Sequence, residues 1–158
     1  MNPIKIEELI DKLDFQMEVC RQFFIKETGQ FVEIQEHYLG IAEELDEDDD
    51  MSEYEDWEQE QIKAAIDLFE NEESYIELPD QYDINEYSIM EDFCYSIEDE
   101  NLRNALCIAI SGKGAFRRFK DTISRSGVKD HWYAYKHKAL GQVARDWCEV
   151  HEVPYHEE

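Results

Sequence analysis

Val19-Cys20-Arg21-Gln22-Phe23-Phe24-Ile25, then Lys26-Glu27-Thr28-Gly29, then Gln30-Phe31-Val32-Glu33-Ile34 read as two strands and the turn that joins them. The β-branched and aromatic residues suit a pleated, half-buried surface, and Gly29 can take the positive φ that closes a hairpin. Tyr75-Ile76-Glu77-Leu78, ahead of Pro79, predicts a third strand, because a proline that cannot donate to a ladder fits at a strand's end. Outward from these segments the apolar spacing is helical. Ile6, Leu9, Ile10 and Leu13 repeat after Asn2-Pro3, which looks like a helix start; Tyr38, Ile41, Ala42 and Leu45 make a second stripe, and Ile62, Ala65, Ile66 and Phe69 a third. Ile89, Met90, Phe93 and Ile97 follow, then Leu102, Ala105, Leu106 and Ala109 closed by Gly112, then Phe116, Phe119 and Ile123 closed by Gly127. Trp132, Tyr135, Ala139, Val143, Trp147 and Val150 form the last stripe. The pattern predicts an α+β chain, mostly helical, a single domain over 1–158 with six or seven helices and a small antiparallel β-hairpin or three-stranded sheet.

The 158 residues carry 40 Asp plus Glu against 15 Lys plus Arg, a formal net charge of -25. With 42% apolar residues and an aromatic share of 13%, the chain has too much to bury to be a disordered acidic segment. Its charge opposes DNA binding by bulk attraction. The longest apolar run, Ala105 to Ile110, is far short of the roughly 20 residues that span a bilayer, and the first residues lack the basic start of a signal peptide, so a cytoplasmic location is expected. Cys20, Cys94, Cys107 and Cys148 contain no C-x-x-C pair and read as buried free thiols. His151 to His156 is one residue too long for H-E-x-x-H and holds Pro154, so the sequence points to no metal and no cofactor. Charge is unevenly shared. Residues 1–101 hold 33 acids and 5 bases, and residues 102–158 hold 7 acids and 10 bases. Either the basic tail packs on the acidic front within one domain, or the two surfaces serve different partners.

Gly112-Lys113-Gly114-Ala115-Phe116-Arg117-Arg118-Phe119-Lys120-Asp121, preceded by Met90-Glu91-Asp92-Phe93 and followed by Trp132 and Arg145-Asp146-Trp147, resembles uncharacterised protein family 0158 of the UPF series. The resemblance covers about 75–150 closely and the early hairpin more loosely, with the acidic stretch around Asp48 (about 46–56) as a variable insertion. It implies a bacterial protein whose signature is the GKGAFRRFK segment, and it supplies no mechanism.

By its own chemistry that segment is not a P-loop: Cys107 stands where the first Walker glycine belongs, and Gly114 where Ser or Thr follows the lysine. A weaker reading is an anion cradle of Gly112, Lys113, Gly114, Arg117, Arg118 and Lys120, in which two glycines free the first N–H groups of a helix and the cations line one face opposite Phe116, Phe119 and Ile123. Cations in the first turn oppose the helix dipole, so a negative charge is expected to compensate them. That charge is either an external phosphate or an internal carboxylate such as Glu91 or Asp92, with Arg117 and Arg118 as bidentate partners and the glycines as a helix cap and tight turn.

The acidic run places Asp46, Asp48 and Asp50 at positions 1, 3 and 5 of a calcium loop, but position 6 is Met51 and position 12 is Trp57, which removes both the sharp turn and the bidentate ligand. A solvated loop is expected. The other use of such charge is mimicry of nucleic acid: a compact chain of this length is about 40 Å across, and duplex DNA of that length carries about 24 phosphates. No nucleophile elbow or paired Cys and His marks a catalytic site. The first functional expectation is therefore a non-enzymatic acidic protein that engages a basic protein surface, such as that of a nucleic-acid-binding protein, through Asp46, Asp48, Asp49, Asp50, Glu53, Glu55, Asp56 and Glu58. Its alternatives are an anion, nucleotide or RNA-phosphate binder acting through GKGAFRRFK, and an enzyme without a recognisable motif. Tyr38, Tyr54, Trp57, Tyr75, Tyr82 and Tyr87 would suit an interface where they are exposed.

Overall fold

The expected hairpin is the centre of the molecule. In a computed structural model, which describes residues 2–46 and 49–157, β2 (Cys20–Ile25) pairs antiparallel with β3 (Gln30–Gln35) over six residues, from Cys20↔Gln35 to Ile25↔Gln30. Gly29 sits at φ 72° and donates its N–H to the Ile25 carbonyl at 2.8 Å, a left-handed position that other residues reach only with strain. β4 (Tyr75–Glu77) adds to the free edge of β2, in the order β3-β2-β4. The Leu78 N–H extends that ladder to the Gln22 carbonyl, and Pro79 then ends it.

Because successive strand residues face opposite sides, Phe23 and Phe24 on β2 enter two different cores. Phe23 is buried with Ile34, Leu39, Ala42, Ala65 and Leu68 beneath α2 (Glu36–Glu44) and α3 (Asp56–Glu70). Phe24 faces the larger core, built with α1 (Ile6–Asp14), α5 (Glu86–Ser96), α6 (Glu100–Ala109), α7 (Ala115–Arg125) and α8 (Lys129–Val150). Phe93 sits at the middle of that core, with the rings of Phe119, Trp132 and Tyr135 at 6.0, 5.3 and 5.3 Å in edge-on arrangements. Trp147 meets Phe24 edge-on at 6.0 Å and donates its indole N–H to the Glu77 carbonyl, which ties the longest helix to the sheet. The fold is thus α+β and mostly helical, with a three-stranded antiparallel sheet between a helical hairpin and a helical bundle.

Some boundaries differ from expectation. Asn2-Pro3 does not start the first helix: a short strand β1 (Ile4–Lys5) comes first, paired in parallel with β5 (Tyr155–His156), and α1 begins at Ile6. Asn85 at φ 53° separates a one-turn helix α4 (Gln81–Ile84) from α5, and its side chain caps the Ser88 N–H. Asparagine tolerates that conformation because its short side chain bonds locally. Phe116, Phe69 and Val150, expected on buried stripes, are 41%, 45% and 75% exposed.

Candidate functional site

The acidic residues lie on the layer formed by α2, α3 and the connection between them. Glu47 and Asp48 fall outside the described residues. Of the others that were expected to act together, Asp49, Asp50, Glu55 and Glu58 are held by local bonds. The Asp46 N–H donates to Asp49 at 2.8 Å; the Ser52 N–H and hydroxyl both donate to Asp50, which holds its carboxyl below the usual carboxylate range. Glu55 and Glu58 form a reciprocal cap on α3, the standard answer to the unpaired N–H groups of a helix start, and the Trp57 indole donates to Glu55 at 2.7 Å. The other oxygen of Glu58 accepts from the Tyr38 hydroxyl at 2.9 Å; burial and that bond together push the Tyr38 phenol up. Trp57, half exposed, packs edge-on against Tyr38 at 5.9 Å. Of the aromatic residues suited to an interface, Trp57, Tyr82 and Tyr87 are exposed, whereas Tyr38 is buried and Tyr54 and Tyr75 are half-buried.

Lys63 on α3 is the one Lys or Arg of this layer, and among the described residues it forms no ion pair. Among the described residues the Lys and Arg ion pairs are Arg21–Glu77, Lys136 with Asp14 and Glu86, and Arg145–Glu157, and His137 Nε2 lies 2.9 Å from Glu7. The ion pairs that join the basic tail to the acidic front therefore come from α8 and reach α1 and α5, and every described acid from Asp46 to Glu58 lacks a cationic partner among the described residues. Among the described residues no three His, Cys, Asp or Glu side chains converge as metal ligands, and the calcium-loop spacing of Asp46 and Asp50 gathers none.

In the GKGAFRRFK segment the glycines form the expected cap and tight turn, but the arginines do not find the expected carboxylates. Gly112 and Gly114 both adopt left-handed φ, 76° and 75°, turning the chain from α6 into α7 with Gly114 at the helix cap. Lys113 therefore precedes the first turn, and the cations within it are Arg117 and Arg118. Arg118 does not pair with Glu91 or Asp92. Its guanidinium folds back over the turn, donating from Nε to the Ala109 carbonyl at 2.9 Å and from its two terminal nitrogens to the carbonyls of Lys113 and Ser111. The last carbonyls of a helix carry partial negative charge and lack intrahelical partners, so they supply the compensation that was sought in a carboxylate. A Cβ at Gly114 would come within 3.1 Å of that guanidinium, a second reason for glycine there. Lys113, Arg117 and Lys120 remain exposed and, among the described residues, form no ion pair. The cradle is thus split: one arginine closes the turn from inside, and three cations face solvent.

The expectation of four buried free thiols holds for two of them, since Cys20 and Cys107 are half-buried. All four cysteines are free; Cys94 and Cys148 are buried, and burial pushes their thiols up to about 12 and about 11. Inert thiols follow, since the thiolate is the reactive form.

The model of an uncharacterised protein family, UPF0158, matches residues 1–158. The chain belongs to that family. The match runs through the hairpin and the acidic α2–α3 connection as well as the signature segment, so the resemblance extends beyond 75–150 to the entire UPF0158 chain. Comparison with curated proteins and with solved structures finds no match.

Proposed function

We propose that this UPF0158 protein is a non-enzymatic binding protein of the bacterial cytosol that engages a basic protein surface through the acidic α2–α3 layer, presenting carboxylates as a nucleic acid presents phosphates. The observation that supports this reading is the absence, among the described residues, of any cationic partner for the acids from Asp46 to Glu58, although Lys113, Arg117 and Lys120 are in no ion pair among those residues either. An acidic surface left open in this way attracts basic partners, speeds their encounter and loses its hold as salt rises. The bonds from Ser52, Trp57 and Tyr38 fix the directions of Asp50, Glu55 and Glu58 without neutralising them.

The test compares two variants that remove the same number of charges. In one, Asp46, Asp49, Asp50 and Glu53 become their amides; in the other, the exposed acids Asp92, Glu98, Glu100 and Asp130, which lie off the α2–α3 layer, do. Binding of fluorescent decalysine is read by anisotropy at low and high salt. The first variant is expected to weaken binding about tenfold and the second about twofold. Equal losses would mean that only net charge counts, and the reading would fail.

A further inference from the structure

The acidic layer continues into a groove that the sequence did not disclose, because its walls come from segments about sixty residues apart. The groove encloses about 520 Å³ between the α1–β2 connection, the start of α2 and the turn from β4 into α4. That volume falls within the range of ligand-binding clefts. Its apolar surface comes from Met17, Leu78, Pro79 and Tyr82, of which Met17 is 59% and Tyr82 92% exposed. Phe15 and Val19, on either side of Met17 in the chain, are also strongly exposed, so this connection carries three large apolar side chains in five residues without cover.

Around that surface stand Glu18, Glu36, Glu77 and Asp80, with Arg21 as the one cation lining the groove among the described residues. Arg21 is already bidentate to Glu77, with both bonds at 2.7 Å, and Asp80 is engaged in capping α4 through the Asp83 N–H. Glu18 and Glu36 are exposed and, among the described residues, in no ion pair. Gln16 supplies a further clue. Its amide nitrogen donates to the Pro79 carbonyl at 2.5 Å, which fixes the orientation of the side chain, and its buried Oε1 has no donor. A buried acceptor without a donor is costly, and natural proteins rarely leave one unmet. The groove therefore combines an apolar floor with excess negative charge. Glu36, at its edge, opens the same helix whose Tyr38 holds Glu58 of the acidic layer, so the two surfaces share an element.

We infer that this groove receives an apolar side chain, flanked by Lys or Arg, from the same basic partner protein that the acidic layer engages. The inference rests on the proposed function and adds to it the anchor that gives long-range attraction its specificity. Charge draws the partner in, and an apolar side chain beside Tyr82 and Met17 fixes its register, since a few desolvated anchors carry most of the energy of an interface.

Two synthetic peptides of equal charge separate this inference from the reading beneath it: decalysine, and ten lysines interrupted at the centre by two leucines. Their binding is measured by anisotropy with the wild type, Tyr82→Ala and Met17→Ser, both at exposed positions where folding is not at stake. The wild type is expected to prefer the leucine peptide about tenfold, and each variant to lose most of that preference while binding decalysine as before. In the ¹⁵N–¹H spectrum the Gln16 side-chain amide should shift with the leucine peptide only. Equal affinity for the two peptides, or a preference unchanged in both variants, overturns the groove while leaving the acidic layer standing. Decalysine binding insensitive to the Asp46, Asp49, Asp50 and Glu53 amides brings down the layer instead. Dimerisation in sedimentation, abolished by Tyr82→Ala, would make a second copy the occupant and overturn the inference.

Discussion

Replacing Arg118 by alanine separates a structural from a ligand-binding role for the signature segment. The guanidinium donates to the carbonyls of Ala109, Ser111 and Lys113, all acceptors at the end of α6 or in the turn that follows. A hydrogen bond from a charged donor contributes about 1.5–3 kcal/mol when desolvated. Here the side chain is exposed, and water replaces much of what is lost, so the three bonds together are worth about 2 kcal/mol. For a chain of this size each kcal/mol moves the midpoint by about 2–4 °C, giving an expected fall of about 4–8 °C. Urea titration should show the lower midpoint with an unchanged slope, because the loss lies in the native state. Arg118→Lys should recover less than half of the loss, since one ammonium cannot span three carbonyls in a fixed fork. Arg117→Ala, at an exposed position with no partner, should stay within about 0.5 kcal/mol of the wild type. An Arg118→Ala midpoint within about 1 °C of the wild type would refute the clamp and return the arginine to the solvent-facing cations.

The remaining expectations concern titration and exposure. Tyr75, pushed up to about 12 by burial and by its bond to Asp67, is protonated more firmly in the folded chain than in the unfolded one, so its contribution is complete below about 10 and is lost as pH rises through 12. Tyr75→Phe should flatten the alkaline fall of stability over that window; an unchanged profile would assign the fall to other groups. Thiol titration with an aromatic disulfide at pH 8 should modify Cys107 before Cys94 and Cys148, which should react only as fast as the protein opens; four thiols reacting together in the native protein would contradict the burial. Lys136→Met removes a half-buried cation that bridges Asp14 and Glu86 at 2.9 Å each and leaves two acids facing one another, so it should cost about 1–2 kcal/mol at neutral pH. Burial alone would lower the lysine's pKa, but its two partners raise it, so the gap between wild type and variant should close only above the ordinary lysine range; a gap that disappears between pH 7 and 9 would count against the bridge.

How far the sequence could be read follows from the range of each signal. The hairpin was legible because alternation, turn and Gly29 lie within sixteen residues, and β4 because Pro79 follows it closely. The helices announced themselves by spacing, with errors where a stripe ran past the packed face, as at Phe116 and Val150. The β1–β5 pair was invisible: two residues give no period, and the partners lie at opposite ends of the chain. The acidic layer could be named as a run of charge but not as unpaired charge, since pairing depends on where α8 delivers Lys136 and His137. The Arg118 clamp required the path of the turn, for its acceptors are main-chain oxygens that every residue possesses. The groove was hidden for the same reason that the third strand's neighbour was: Gln16 meets Pro79 across 63 positions.

Strand β2 is a wall common to two rooms, with Phe23 hanging in one and Phe24 in the other. A shift of one residue in its pairing would exchange them, placing each ring in the other's core, so the two layers must agree on a single register. Neither can therefore open fully while the other stays intact around the strand. In deuterium exchange the amides of Phe23, Phe24 and Ile25, in register with neighbours on both sides, should form one cooperative block and be the last to exchange. A partner seated on the acidic helices would slow them as much as it slows its own contact surface.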